Sequence, residues 1–217
     1  VPSRVDKGNV LLLINETIPS DITNPVNIVD ISDIPDKFSD TNKEYIKMAL
    51  KGYKDEAPKK VIVYSTGFAD AKEPTAISDS IMTTILKRIS KLKFAYMAMP
   101  NANIADYKKI KDWVIEQREN GNIIKAVLPN IEGDSEGIIN YINNKNVVSE
   151  TVKVAGETKQ IQTEYTAAQY TARIAGLLAS IPTNYSATYI ALDEVVDCDE
   201  NDDRNKAVNE GKFFILN

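Results

Sequence analysis

Short aliphatic and β-branched runs alternate with helical stripes along most of this chain, and few folds tolerate that alternation. "KKVIVYSTG" (59–67), with its strand at Val61 to Tyr64, "KFAYMAMP" (93–100) and "IIKAVLP" (123–129) read as strands. Between them, Ile81, Met82, Ile85, Leu86, Ile89 and Leu92 recur at helical spacing behind Ser78 as a cap. Ile104, Tyr107, Ile110, Trp113 and Val114 do the same behind Asn103, with Gly121 as the exit. Upstream, "NVLLLI" (9–14) and "VNIVDI" (26–31) are strands among Pro19, Pro25 and Pro35. A helix over "DTNKEYIKMALKGY" places Tyr45, Met48, Ala49 and Tyr53 on one face, with Gly52 near its end.

Farther on, a third helix is expected from about Ser135 to Asn143. A hairpin turning at Ala155 to Glu157 follows, within "VVSETVKVAGETKQIQT". Helical returns between strands imply parallel pairing, and the hairpin makes the sheet mixed. The expected class is therefore α/β: a mixed β-sheet with flanking helices, preceded by a small β-rich N-terminal module. "STGFADAKEPT" (65–75) is the softest boundary, dividing a strand-rich module, 1–70, from an α/β module, 71–217.

Composition removes several functions. A net charge of −5 over 217 residues argues against a nucleic-acid binder, which needs concentrated cations. The chain has no histidine, which removes Ser-His-Asp and Cys-His catalysis and every histidine-containing zinc site. Its one cysteine, Cys198, lies among Asp197, Asp199 and Glu200, which disfavour a thiolate. "VLLLI" is too short to cross a bilayer, so no membrane insertion is expected. An opening on Val1 and an ending on "GKFFILN" lead to the expectation of a fragment of a longer protein.

Motifs for chemistry are equally sparse. No two of the nine glycines are spaced as G-x-G, and no phosphate loop is present; "EGDSEG" (132–137) reads as a turn. In the acidic loop 193–203, Asp197, Asp199 and Asn201 fit the first positions of a calcium loop. Asp202 then stands where glycine is needed and Val208 where a bidentate glutamate is needed. A solvated loop is expected there, with weak surface cation binding as the alternative. Ser186 and Thr188 lack a base. No catalytic, cofactor-binding or metal-ligating residue is therefore assigned, and no cofactor is implied.

One helix stands apart. Thr166 and Gln169 form a capping box, and Tyr170, Ile174, Leu177, Leu178 and Ile181 make an apolar stripe that Pro182 ends. Beside it runs a ridge of Ala168, Ala172, Gly176 and Ala179. Glycine weakens a helix by about 1 kcal/mol relative to alanine, so Gly176 implies close approach of another backbone. That approach is either internal packing or a subunit contact. A strand, "SATYIAL" (186–192), is expected next.

The block "YTARIAGLLASIPTNYSATYIALDEVVD" resembles contractile tail sheath proteins of myophages, PBSX-type prophages and R-type bacteriocins. Tyr170, Ala172, Arg173, Ile174, Ala175 and Gly176 carry the likeness, with Pro182, Asn184, Ser186, Ala187, Thr188 and Tyr189. "VPSR" (1–4), "GNVLLLI", "KKVIVYSTG" and "KFAYMAMPNA" are looser matches. The resemblance implies a structural, non-enzymatic subunit assembled in the bacterial cytoplasm and carried in a released particle. Its partners would be other sheath subunits in a helical polymer, an inner tail tube protein and a baseplate. It also implies a core lacking an N-terminal arm and a C-terminal domain, hence a monomer by itself, with Ala168, Ala172 and Gly176 stiffening the body. An α/β enzyme with carboxylate chemistry and a soluble binding module are the alternatives.

Overall fold

"VLLLI" is apolar at every position because the strand it forms is covered on both faces. Val10, Leu12 and Ile14 enter one hydrophobic cluster, and Leu11 and Leu13 enter the other. The computed structural model describes residues 8–54, 56–154, 157–182, 184–188, 190–199 and 203–216.

Its elements are β1 (Asn9–Ile14), β2 (Val26–Ile28), α1 (Asp40–Lys51), β3 (Lys60–Ser65), α2 (Asp79–Ile89), β4 (Tyr96–Ala98), α3 (Ile104–Glu119) and β5 (Lys125–Pro129). They continue with β6 (Ile138–Tyr141), β7 (Asn146–Val154), β8 (Glu157–Tyr165), α4 (Ala167–Ser180), β9 (Val195–Cys198), α5 (Arg204–Asn209) and β10 (Lys212–Phe213).

Seven strands form one sheet in the order β10-β6-β5-β4-β1-β3-β2. Every neighbouring pair is parallel except β2 against β3, at the edge. Helices α1 and α4 cover one face, and α2 and α3 the other, as alternating residues of β1, β3, β4 and β5 require. The molecule is thus α/β with a mixed sheet flanked by helices. Because β1 bonds to β3 on one side and β4 on the other, the sheet runs unbroken across residue 70.

A second, antiparallel sheet, ordered β8-β7-β9, stands beside the helices of the first face. β7 and β8 form the hairpin, in register from Asn146↔Tyr165 to Val154↔Glu157. Residues 155 and 156 of its expected turn lie outside the described residues, and Glu157 already belongs to β8. The base of the hairpin is pinned by Asn146, which is fully buried. The Tyr141 hydroxyl donates to Asn146 Oδ1, and Asn146 Nδ2 donates to the Asn143 carbonyl at 2.9 Å.

Several expectations fail. Tyr53 lies outside α1, which ends at Lys51 before the positive-φ turn of Gly52. The hairpin belongs to the second sheet, so the first is mixed through β2 instead. Residues 135–143 are not a helix: Ile138–Tyr141 is a parallel strand beside β5. Ile138 joins the α2–α3 side and Tyr141 the α1–α4 side, so the run is buried on both faces. A short apolar run of that kind cannot be told from helix by period. Among the described residues, "SATYIAL" contains no strand; Ser186 and Thr188 are exposed, and the next pairing begins at Val195. Ser78 precedes α2 without a side-chain cap bond. Ile81 and Ile104, assigned to buried stripes, are 42% and 60% exposed, because each helix turns only its other apolar residues inward.

Candidate functional site at the crossing of α1 and α4

Gly176, in the small-residue ridge of α4, meets the backbone of α1. A methyl group on Gly176 would strike the Ala49 carbonyl oxygen and stand 2.7 Å from Ala49 Cα. Ala172, Ala175 and Ala179 are buried around this crossing, whereas Ala168 is only half-buried. Close packing of this kind locks two helices in one arrangement, since neither can slide without a backbone clash. Of the two readings of the ridge, the structure shows internal packing.

The start of α4 is fixed as the sequence predicts. Thr166 Oγ1 accepts from the Gln169 amide, and Gln169 Oε1 accepts from the Thr166 amide at 2.9 Å. Thr166→Ala is expected to cost about 1 kcal/mol. The melting temperature should fall by roughly 2–4 °C, read by circular dichroism.

One turn after Tyr170, an ion pair crosses the interior. Arg173, 4% exposed, donates from Nε to Glu194 Oε1 at 2.6 Å and from Nη1 to the Gly52 carbonyl at 2.8 Å. Gly52 has φ +58° and ψ −149°, a conformation open essentially to glycine alone, and it turns its carbonyl back toward Arg173. Lys51 Nζ lies 3.9 Å from the same carboxylate. Burial acts to raise the Glu194 carboxyl, but the Arg173 guanidinium and hydrogen bonds outweigh it and hold the group below its ordinary value. Arg173 thereby ties together the end of α1, the middle of α4 and the turn before β9. Sequence reading missed this pairing, although a single charge inside an apolar stripe was its signal.

The remaining sequence candidates are dispersed. Ser186 and Thr188 are exposed and bond to each other at 2.9 Å. Asp197 pairs with Lys145, and Asp199 Oδ2 accepts from the Asn144 and Lys145 amides at 2.7 and 3.1 Å, so both carboxylates serve the hairpin base. Asn201, Asp202 and Tyr189 lie outside the described residues, as does "VPSR". Cys198 is buried. Among the described residues no helix is long and apolar enough to cross a membrane.

No family model matches the chain. A tail sheath protein of Clostridium phage phiCD119 is 38% identical to it over 168 residues, 75% of this chain and 41% of that protein. The chain belongs to the tail sheath proteins. It spans less than half the length of that sheath relative. The sheath tail protein of Listeria innocua has the same fold, with a TM-score of 0.72 at 17% identity, over 96% of this chain and 65% of that one. One from Desulfitobacterium hafniense gives 0.71 at 18%, over 99% and 69%. The helical sheath of the anti-feeding prophage in its contracted state gives 0.63 at 10%, over 99% and 61%. On the sheath fold, Tyr170, Ala172, Arg173, Ile174, Ala175 and Gly176 are all buried, while Asn184, Ser186 and Thr188 are exposed.

Proposed function

We propose that the chain is the body of a contractile tail sheath subunit, which packs with other sheath subunits around an inner tube. A baseplate releases the array, and contraction drives the tube through a target envelope. The identity to the phiCD119 sheath protein carries this reading. The interior is consistent with it: arrays that switch by repacking interfaces need subunits that do not deform, and the α1–α4 crossing gives α4 one seat. The work is mechanical, so the function asks for no catalytic residue or cofactor. Assembly in the bacterial cytoplasm and release in a phage tail, prophage particle or bacteriocin follow from the same reading.

Electron microscopy tests it. The complete gene product, co-expressed with its neighbouring tube protein, should form tubes or contracted cylinders. The matched region is 41% of the relative, which leaves the rest of such a protein to join subunits. The 217-residue chain alone is therefore expected to sediment as a monomer. A complete product that never polymerises, yet turns over a small molecule, would sink the reading.

A further inference from the structure

On the α2–α3 side of the seven-stranded sheet, charges are sorted by sign. Where α2 ends, Lys87, Arg88, Lys91 and Lys93 are exposed, and Lys60 opens β3. Asn9 links the two places: it stands opposite Lys60 in the β1–β3 register, and its Nδ2 donates to the Lys93 carbonyl at 2.8 Å. Lys87 and Arg88 suit the negative end of the α2 dipole, but Lys60 and Lys93 lie off that helix, so the dipole does not account for the whole group.

Where α3 ends, the sign reverses. Glu116 and Glu119 are exposed in its last turn, where the dipole disfavours acids. The connection from β5 to β6 adds exposed Glu132, Asp134 and Glu136. Arg118 of α3 ties the helix end to this connection, donating from Nη2 to Glu136 Oε2 at 3.1 Å. The sheet runs β3-β1-β4-β5-β6 between the two flanks, four strand steps or roughly 19 Å.

We propose that these flanks are the two halves of one subunit contact: the basic flank at the end of α2 docks on the acidic flank at the end of α3 in a second copy of this chain. The inference deepens the sheath reading and rests on it. Charge complementarity selects a second copy as the partner, because every copy carries both halves. The halves lie apart on the molecule, so each contact leaves one of either sign free, and the contact repeats head to tail into a ring or helix rather than closing a pair. Exposed charges add little affinity, in keeping with a monomeric chain by itself; they decide which faces meet.

Charge reversal in the complete gene product, co-expressed with its tube protein and counted by electron microscopy, tests the contact. Lys87→Glu with Lys91→Glu should cut the yield of tubes and cylinders by about fivefold or more, because acid then faces acid. Glu132→Lys with Asp134→Lys should do the same from the other side. All four changes together should restore at least about half of the unaltered yield, since opposite charges meet again with their signs exchanged. That rescue separates a lost contact from a lost fold, because two further reversals do not mend a misfolded body. Either paired reversal assembling as well as the unaltered product, or a quadruple variant assembling no better than the paired ones, overturns the contact and leaves the sheath reading standing. An unaltered product that forms neither tubes nor cylinders overturns the reading and the contact with it.

Discussion

Gly176→Ala is expected to lower the melting temperature by about 6–12 °C, although the same change in an ordinary helix raises stability by about 1 kcal/mol. The sign of the effect is therefore the test. The new methyl meets the Ala49 carbonyl oxygen and stands 2.7 Å from both Ala49 Cα and Ala49 C, all main-chain atoms. No rotamer change relieves that overlap; α1 and α4 must separate, and everything packed between them shifts. Overpacking of a tight interior costs about 1–3 kcal/mol, and a clash with backbone belongs at the upper end. For a chain of this size each kcal/mol moves the midpoint by roughly 2–4 °C. Ala172→Gly provides the contrast, because it relieves space rather than filling it and loses only about 1 kcal/mol of helix propensity. Thermal unfolding followed by circular dichroism measures both, and a rise in midpoint for Gly176→Ala refutes the close crossing.

What could be read in the sequence was whatever local chemistry determines by itself. The Thr166–Gln169 box, the Asn103 cap and the Gly176 approach each involve residues whose preferences leave few alternatives, and each stands where expected. Strands buried on both faces were legible where they were long, as in β1 and β3. β6 was not, because four residues carry no period and its membership depends on the distant edge of β5. "SATYIAL" has the residues of a strand, but among the described residues no neighbouring strand offers it a ladder. The Arg173 junction needed three partners from separate parts of the chain: α4, the end of α1 and the turn before β9. Spacing along a sequence cannot supply that, although the isolated arginine in the α4 stripe marked the place.

Arg173→Met is expected to destabilise the chain by about 3 kcal/mol, because it leaves the Glu194 carboxylate, whose side chain is 9% exposed, with Lys51 at 3.9 Å as its remaining cation among the described residues. The ammonium of Lys51 and the partial exposure of the carboxylate keep the loss at the low end of the usual range of about 3–5 kcal/mol. Adding Glu194→Met should recover most of it, since the double variant buries no charge. The Gly52 carbonyl still lacks its donor, at about 1 kcal/mol. Acid separates charge from packing. The folded Glu194 carboxyl lies below its ordinary value of 4.5, so the pair's contribution is complete above that value and is lost as pH falls through the folded one. Asp106 acts in the opposite direction. Burial is the largest influence on it and raises it, so its contribution is present at low pH and lost as pH rises; it is common to both proteins and cancels in their difference. Urea unfolding of the unaltered protein and Arg173→Met, from about pH 7 to about pH 3, should therefore show a gap that narrows with acid. A gap that stays constant would mean that Arg173 contributes through its aliphatic stem, packed between the helices, and that Glu194 gains nothing from the guanidinium beside it.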